Sequence, residues 1–575
     1  MSPLSSPESR PSSLAVLAGG LVRLLCILAV VAAVVVLAAA GFILYRESTW
    51  QPQPTVRADT PPETRNEQSF FHGTIGTEVV PLPVLRVLPV IFPEHFLPFK
   101  QPGAGDWIRQ FGFIPSSRVP VAHPTGEKLD GLPMGFTLSN YRPKSAAPSP
   151  VKFVGLACAT CHTTLLRRPD GTDYLVIGTG NNALNLFAWI DAFQAAILDG
   201  NKLTLSAVAD ENEKLGFPLS LEEKGMIALW LQGTRTKLTA DEEKYDQPYG
   251  NGDSLKPDFV PTGPGRTQPF RTLVRGLLHR PGATMRVYTK IAPVFWQNLE
   301  DGWGQYDGGI HGLQRRSSGA AYAAGATVQN MNLPEIAGNI KWASDYLATR
   351  KGPRFEEVFP KRSINAEKAK RGQQVYMREM PGGVPSCNSC HGHPEGTGWA
   401  KGERQGEITP LAVIRTDPER VMFRYYDLIP EMLSKKFPKD HEFDFPRDQL
   451  RPFPGEEEDL AKRGYINKPL HAAFTRAPYL HNASVLTLKA LLNLEDRRVV
   501  FFQGENPYDP EALGLTSPTE AEWKEGDPKS YFRFDTRVPG NSNAGHDYPW
   551  PRREVVKDSQ KQKDLEDLLE YLKTF

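Results

Sequence analysis

Two stretches of this chain, Cys158-Ala159-Thr160-Cys161-His162 and Cys387-Asn388-Ser389-Cys390-His391, repeat the pattern Cys-x-x-Cys-His. In each, two thiols are spaced to add across the vinyl groups of a haem while the adjoining imidazole binds its iron. The chain has five cysteines, and four of them lie in these two units. A four-thiolate zinc site would leave His162 and His391 without a use and would join cysteine pairs more than two hundred residues apart. A thioredoxin-like redox pair follows a strand and has no need of a second copy. The pattern therefore predicts two covalently bound c-type haems, attached through Cys158, Cys161, Cys387 and Cys390, with His162 and His391 as iron ligands.

A chain of 575 residues is long enough for two to four units with a substantial core. Its formal charge of +1 provides no field for nucleic acid. Gly and Pro number 49 and 51, which predicts many ordered turns and long loops between helices. Haem suits such a chain, because each macrocycle adds apolar core that secondary structure need not supply.

After a Ser/Pro-rich leader with Arg10 and Arg23, Leu24 to Leu44 form an uncharged apolar run of 21 residues. A helix of that length can cross about 30 Å of hydrocarbon. It also outruns a secretory h-region, although Ala38-Ala39-Ala40 resembles a cleavage site. With the basic residues ahead of the run, the expectation is a single-pass anchor in the inner (cytoplasmic) membrane, the body lying in the periplasm. Cys26, inside the run, reads as an apolar filler.

Further along, Trp50 to Asn66 read as a Pro-rich, semi-extended stalk, and residues 70–96 as an extended segment broken by four prolines. His72 and His95 lie there and read as hydrogen-bonded structural residues. Leu184 to Ile197 carry a helical repeat ended by Gly200, suited to wall a haem pocket, and a second helix is expected at 219–233. Met226 and Trp230 on it read as core. Residues 240–330 are Gly-rich with weak periodicity. Within them Phe295, Trp296, Trp303 and Tyr306 are candidates for a haem edge or an inter-haem path. Arg266, Arg315 and Arg316 are candidates to pair with haem propionates. A helix ahead of Cys387 and an amphipathic helix at Lys561 to Phe575 are expected to cross.

The sixth iron position decides between electron transfer and small-molecule chemistry. Nothing obvious stands opposite His162. Downstream of His391 the candidates are Met422, Met432, His393, His441, His471, His481 and His546, with His393 too close to His391 to swing across the ring.

Together with the two haem units, Arg476-Ala477-Pro478-Tyr479-Leu480-His481-Asn482-Ala483-Ser484-Val485 resembles the bacterial di-haem cytochrome c peroxidase superfamily. The likeness is closest to its rubber-oxygenase-like branch, through HGTIGTE at 72–78, GPGR at 263–266 and GNSNAGH at 540–546. It spans most of residues 70–575. In that branch the last motif resembles the one carrying the distal ligand of the C-terminal haem, which points to His546, with His481 as the alternative. Ala483 departs from the Gly usual in the first motif.

The resulting expectation is a mainly α fold with long loops, two cytochrome c-like haem domains behind an N-terminal transmembrane helix. Its parts are a leader (1–23), an anchor (24–45), a Pro-rich linker (46–69), an N-terminal haem domain (70–363) and a C-terminal cytochrome c domain (364–575). The resemblance implies an oxidoreductase whose C-terminal haem transfers electrons and whose N-terminal haem meets peroxide or dioxygen, served by a redox partner protein. The alternatives are a non-enzymatic electron carrier and, more weakly, a maturation enzyme that oxidises a partner protein.

Overall fold

The computed structural model describes residues 13–49, 54–96, 107–126, 129, 131–141, 147–245, 260–269, 286–300, 303–304, 306–380, 382–422, 463–527 and 529–575. Two of the candidate distal ligands, Met432 and His441, lie outside them.

The apolar run near the N-terminus is helical, inside the helix Ser13–Thr49. Among the described residues, however, no helix is long and apolar enough to cross a membrane. The transmembrane anchor, and the inner-membrane location with a periplasmic body that followed from it, are therefore withdrawn. That expectation rested on the 21-residue run taken by itself, whereas the helix that contains it is 37 residues long and takes in Arg23, Arg46 and Glu47.

The expected fold class also needs correction in its loops. Among the described residues, one three-stranded and seven two-stranded antiparallel sheets accompany the helices. Most of these strands are two to five residues long. Strands that short are rich in turn residues at both ends and give no readable alternation, which is why they pass for loops in the sequence. The prolines of 70–96 likewise permit helix. In Leu82–Ile91 one proline sits in the first turn, where no N–H bond is lost, and Pro89 lies in the last. Part of the expected stalk is the helix Pro62–His72, whose Phe70 and Phe71 are fully buried.

The three-stranded sheet orders Val80–Pro81, Pro148–Leu156 and Phe136–Tyr141, with the long strand in the middle. One of its faces joins a core of Phe113, Phe136, Phe153 and Trp189, the last carried by the helix Leu186–Leu198. The helix Leu221–Tyr245 closes this layer, Ile227 and Leu231 facing inward.

A second core lies where the helix Ala366–Met377 crosses the helix Ser559–Leu572. Leu565, Leu568, Leu569 and Leu572 are buried on the inward stripe. Fully burying a Leu side chain is worth about 1.5–3 kcal/mol, so this stripe is a main source of the crossing's stability. The crossing is tight at Gly372, where a Cβ would lie 1.9 Å from the Asp567 carbonyl oxygen. Arg371 closes the contact with two bonds to the Asp567 carboxylate, at 2.7 and 3.0 Å. Tyr376, on the same helix, donates to the Gly392 carbonyl and so ties the crossing to the second Cys-x-x-Cys-His unit.

Candidate functional site

The first unit follows directly on the central strand Pro148–Leu156. Its turn packs against Gly135, which has a φ of +78° and stands where any Cβ would meet the Thr160 backbone nitrogen. The hairpin of Thr163–Arg167 and Asp173–Ile177 begins immediately after His162. Nδ1 of His162 donates to the Ala292 carbonyl at 3.0 Å, which leaves the Nε2 lone pair as the metal-binding position. Burial lowers the pKa of this imidazole to about 4, keeping it neutral. Burial also pushes the thiols of Cys158 and Cys161 up to about 12.

Both thiols and the His162 ring open into one cavity of about 980 Å³. That is the upper end of ordinary ligand pockets, about 300–1,000 Å³. Phe136, Phe187, Trp189, Phe193 and Trp230 form an apolar wall, while the small residues Gly319, Ala320, Ala323 and Ala324 form another. Among the described residues lining it, His162 is the sole imidazole and Met226 the sole thioether. Met226 packs on the apolar core beside it, as the sequence suggested. Glu78, the last residue of HGTIGTE, also lines the cavity, its Oε1 accepting from Thr74 and, at 2.6 Å, from Ser139.

The second unit is a short helix, Cys387–His391, capped by Ser386, whose Oγ accepts from the Ser389 N–H. Gly392 ends it at a φ of +66°, with the Ala400 carbonyl and the Trp399 indole nitrogen both within 2.5 Å of where a Cβ would be. No other residue fits that turn. Nδ1 of His391 donates to the Lys468 carbonyl at 2.6 Å, so here too Nε2 is left for a metal.

Across from His391 stands His546, with the ring centroids 6.2 Å apart and the planes 38° from each other. Two imidazoles bound to one ion through single nitrogens, at metal–nitrogen distances of about 2 Å, place their centroids about 6 Å apart. His546 is held by its backbone: a φ of +56°, its N–H donating to the Ile414 carbonyl, and Arg497 bonding the Asn543 and Gly545 carbonyls of the same loop. Burial, with help from His391 and Arg497, lowers its pKa to about 3. The donor set and spacing fit a haem iron between two histidines.

The other candidates are engaged elsewhere. The Tyr465 hydroxyl donates to the Asp417 carbonyl, so its 2.9 Å contact with Nε2 of His481 needs the proton on the histidine. That tautomer removes Nε2 of His481 as a ligand. Nε2 of His471 accepts from the Gly352 N–H at 2.8 Å, and Nδ1 of His393 contacts the Asn388 side chain. Met422 lies partly exposed. His72 contacts the Val121 carbonyl and the His123 ring.

Phe295 and Trp296 both pack edge-on against His471, and Trp399 joins them from beside Gly392. These residues form an aromatic cluster around His471, which Trp399 joins to the second unit. The Tyr306 ring lies 5.7 Å from the Lys468 ammonium.

Of the arginines singled out for propionates, Arg266 is caged between Tyr288 and Phe534 and bonds the Thr262 carbonyl and Asn541. Arg315 does not line the cavity. Arg316 does, and pairs with Glu300 at 2.6 Å. Lys290, Arg420 and Lys468, which the sequence did not single out, also line the cavity. They come from three separate segments and share no motif.

Residues 464–502 match a protein family described as "RoxA-like, cytochrome c-like". The match supports the rubber-oxygenase-like c-type cytochrome family and implies covalently bound c-type haem, with its iron and electron transfer. It covers the loop of His481, and the wider di-haem peroxidase superfamily is not confirmed by it. The chain is also 25% identical to the uncharacterised protein y4iJ of Sinorhizobium fredii, over 88% of this chain and 90% of that one. A second uncharacterised protein of that organism, y4iM, is 33% identical over 20% of this chain and 28% of its own length.

Proposed function

We propose that this chain is a di-haem c-type oxidoreductase in which the two irons have different work. A haem held at His391 would find the His546 imidazole across from it, and iron between two imidazoles would suit electron transfer. The His162 cavity offers one imidazole and a large, mostly apolar volume, an arrangement for binding peroxide or dioxygen. The inequality of the two histidine settings is the observation that carries this reading.

Bound haem supplies the one-electron and small-molecule chemistry. The protein's own part is to hold each imidazole in the neutral, Nδ1-protonated form through the Ala292 and Lys468 carbonyls. It also excludes water by the aromatic wall and brings Glu78 to the cavity as a buried acid group. Electrons enter from a redox partner protein. Residues 70–363 carry the first haem and 364–575 the second.

Carbon monoxide binding to the reduced protein tests this. The expected result is two haems per chain and one molecule bound, at the His162 haem. Two haems with none bound would instead favour a carrier with both irons six-coordinate.

A further inference from the structure

The buried cations lining the His162 cavity are Lys290, Arg316, Arg420 and Lys468. Three of them have acid partners. Arg316 and Lys468 share Glu300, at 2.6 and 3.3 Å, and Arg420 meets Asp307 at 2.7 Å. Lys290 differs. Its side chain is buried, and its ammonium donates to the Arg476 carbonyl. Among the described residues no carboxylate lies within ion-pair distance of it, nor of the neighbouring Arg476 guanidinium, which bonds the carbonyls of Pro469 and His471. An ammonium has three donors, and burying it without a counter-ion is strongly unfavourable.

The strand that carries Lys290 fixes where this charge stands. Two residues on, Ala292 holds the His162 imidazole, so the ammonium lies at the edge of the space that this ring faces. The backbone N–H of Lys290 is itself fixed, donating to the His481 carbonyl at 2.7 Å. The backbone is therefore anchored in the wall, and the buried ammonium is held there by the Arg476 carbonyl.

We infer that Lys290 is the seat of a carboxylate in the cavity, and that the carboxylate is a propionate of the haem held at His162. The inference rests on the di-haem reading above. Burial and Arg476 lower the Lys290 pKa to about 7 with no anion present, and a carboxylate beside it raises that value and keeps the charge on.

The haem-loaded full-length protein provides the test. Haem is first counted per chain: fewer than two haems defeats the di-haem reading, whereas the outcomes below are read with both haems present. Lys290→Met leaves the propionate unneutralised and is expected to shift the midpoint potential of the His162 haem downward, more than that of the His391 haem. Lys290→Arg is expected to restore it. No shift in Lys290→Met, or an equal shift in Lys290→Arg, overturns the inference.

Should Lys290→Met fail to fold, the wild-type protein still decides. Its potential at the His162 haem is expected to show no one-proton step centred near pH 7, and such a step overturns the pairing. Acetate separates the two sources of carboxylate. No spectral response is expected in the wild type, and a saturable response that Lys290→Met abolishes assigns the seat to a free carboxylate and overturns the propionate.

Discussion

His391 and His546 face each other with ring centroids 6.2 Å apart, although 154 residues separate them and they sit on unrelated elements, a short helix and a positive-φ loop position. Replacing His546 by Ala removes one imidazole and leaves the Cys387, Cys390 and His391 attachment in place. The expected outcome is retention of two haems with one converted from low spin to high spin, seen in the absorption and electron paramagnetic resonance spectra. An unchanged low-spin signal from the His391 haem would reject His546 as the ligand.

How much of this arrangement the sequence discloses depends on how local the information is. The Cys-x-x-Cys-His units are readable because covalent attachment needs five consecutive positions, and the amphipathic stripe of Leu565, Leu568, Leu569 and Leu572 is readable because it repeats along one helix. Arg266 shows the limit. A guanidinium in a Gly-Pro-Gly-Arg box looks like an anion binder, yet Tyr288, Phe534 and Asn541, all distant in sequence, enclose it instead. The cavity wall fails for the same reason in reverse, since Lys290 becomes meaningful only through its distance from carboxylates elsewhere in the chain. The membrane anchor was read from 21 residues taken by themselves, whereas the helix that contains them runs over Ser13–Thr49.

Gly372 and Gly225 give opposite expectations for the same change. Gly→Ala inside a helix ordinarily gains up to about 1 kcal/mol. At Gly225, in the helix Leu221–Tyr245, a Cβ would meet nothing within 4 Å, so Gly225→Ala is expected to stabilise by about that amount. At Gly372 the Cβ would lie 1.9 Å from the Asp567 carbonyl oxygen and 2.4 Å from its carbon, atoms of a helix backbone that cannot turn aside. Overpacking of this kind costs about 1–3 kcal/mol or more, which outweighs the propensity gain. Urea denaturation midpoints should therefore rise for Gly225→Ala and fall for Gly372→Ala, and a rise in both would show that the two helices separate freely at the crossing.

His471 makes stability depend on pH in a stated direction. Burial, then the charges of Arg476 and Lys351, lower its pKa to about 3, against an ordinary 6.5. Between those values the unfolded chain binds a proton that the folded one refuses, because Nε2 is already accepting from the Gly352 N–H. This group's stability is thus complete above pH 6.5 and is lost as pH falls toward 3, by up to about 1.4 kcal/mol per pH unit. In His471→Gln the amide oxygen can still accept from Gly352, but nothing titrates. Urea midpoints measured from pH 7 down to pH 4 should then fall less steeply than in the wild type, by about one proton's worth of slope. Parallel curves would mean that the folded protein protonates His471 as readily as the unfolded chain does.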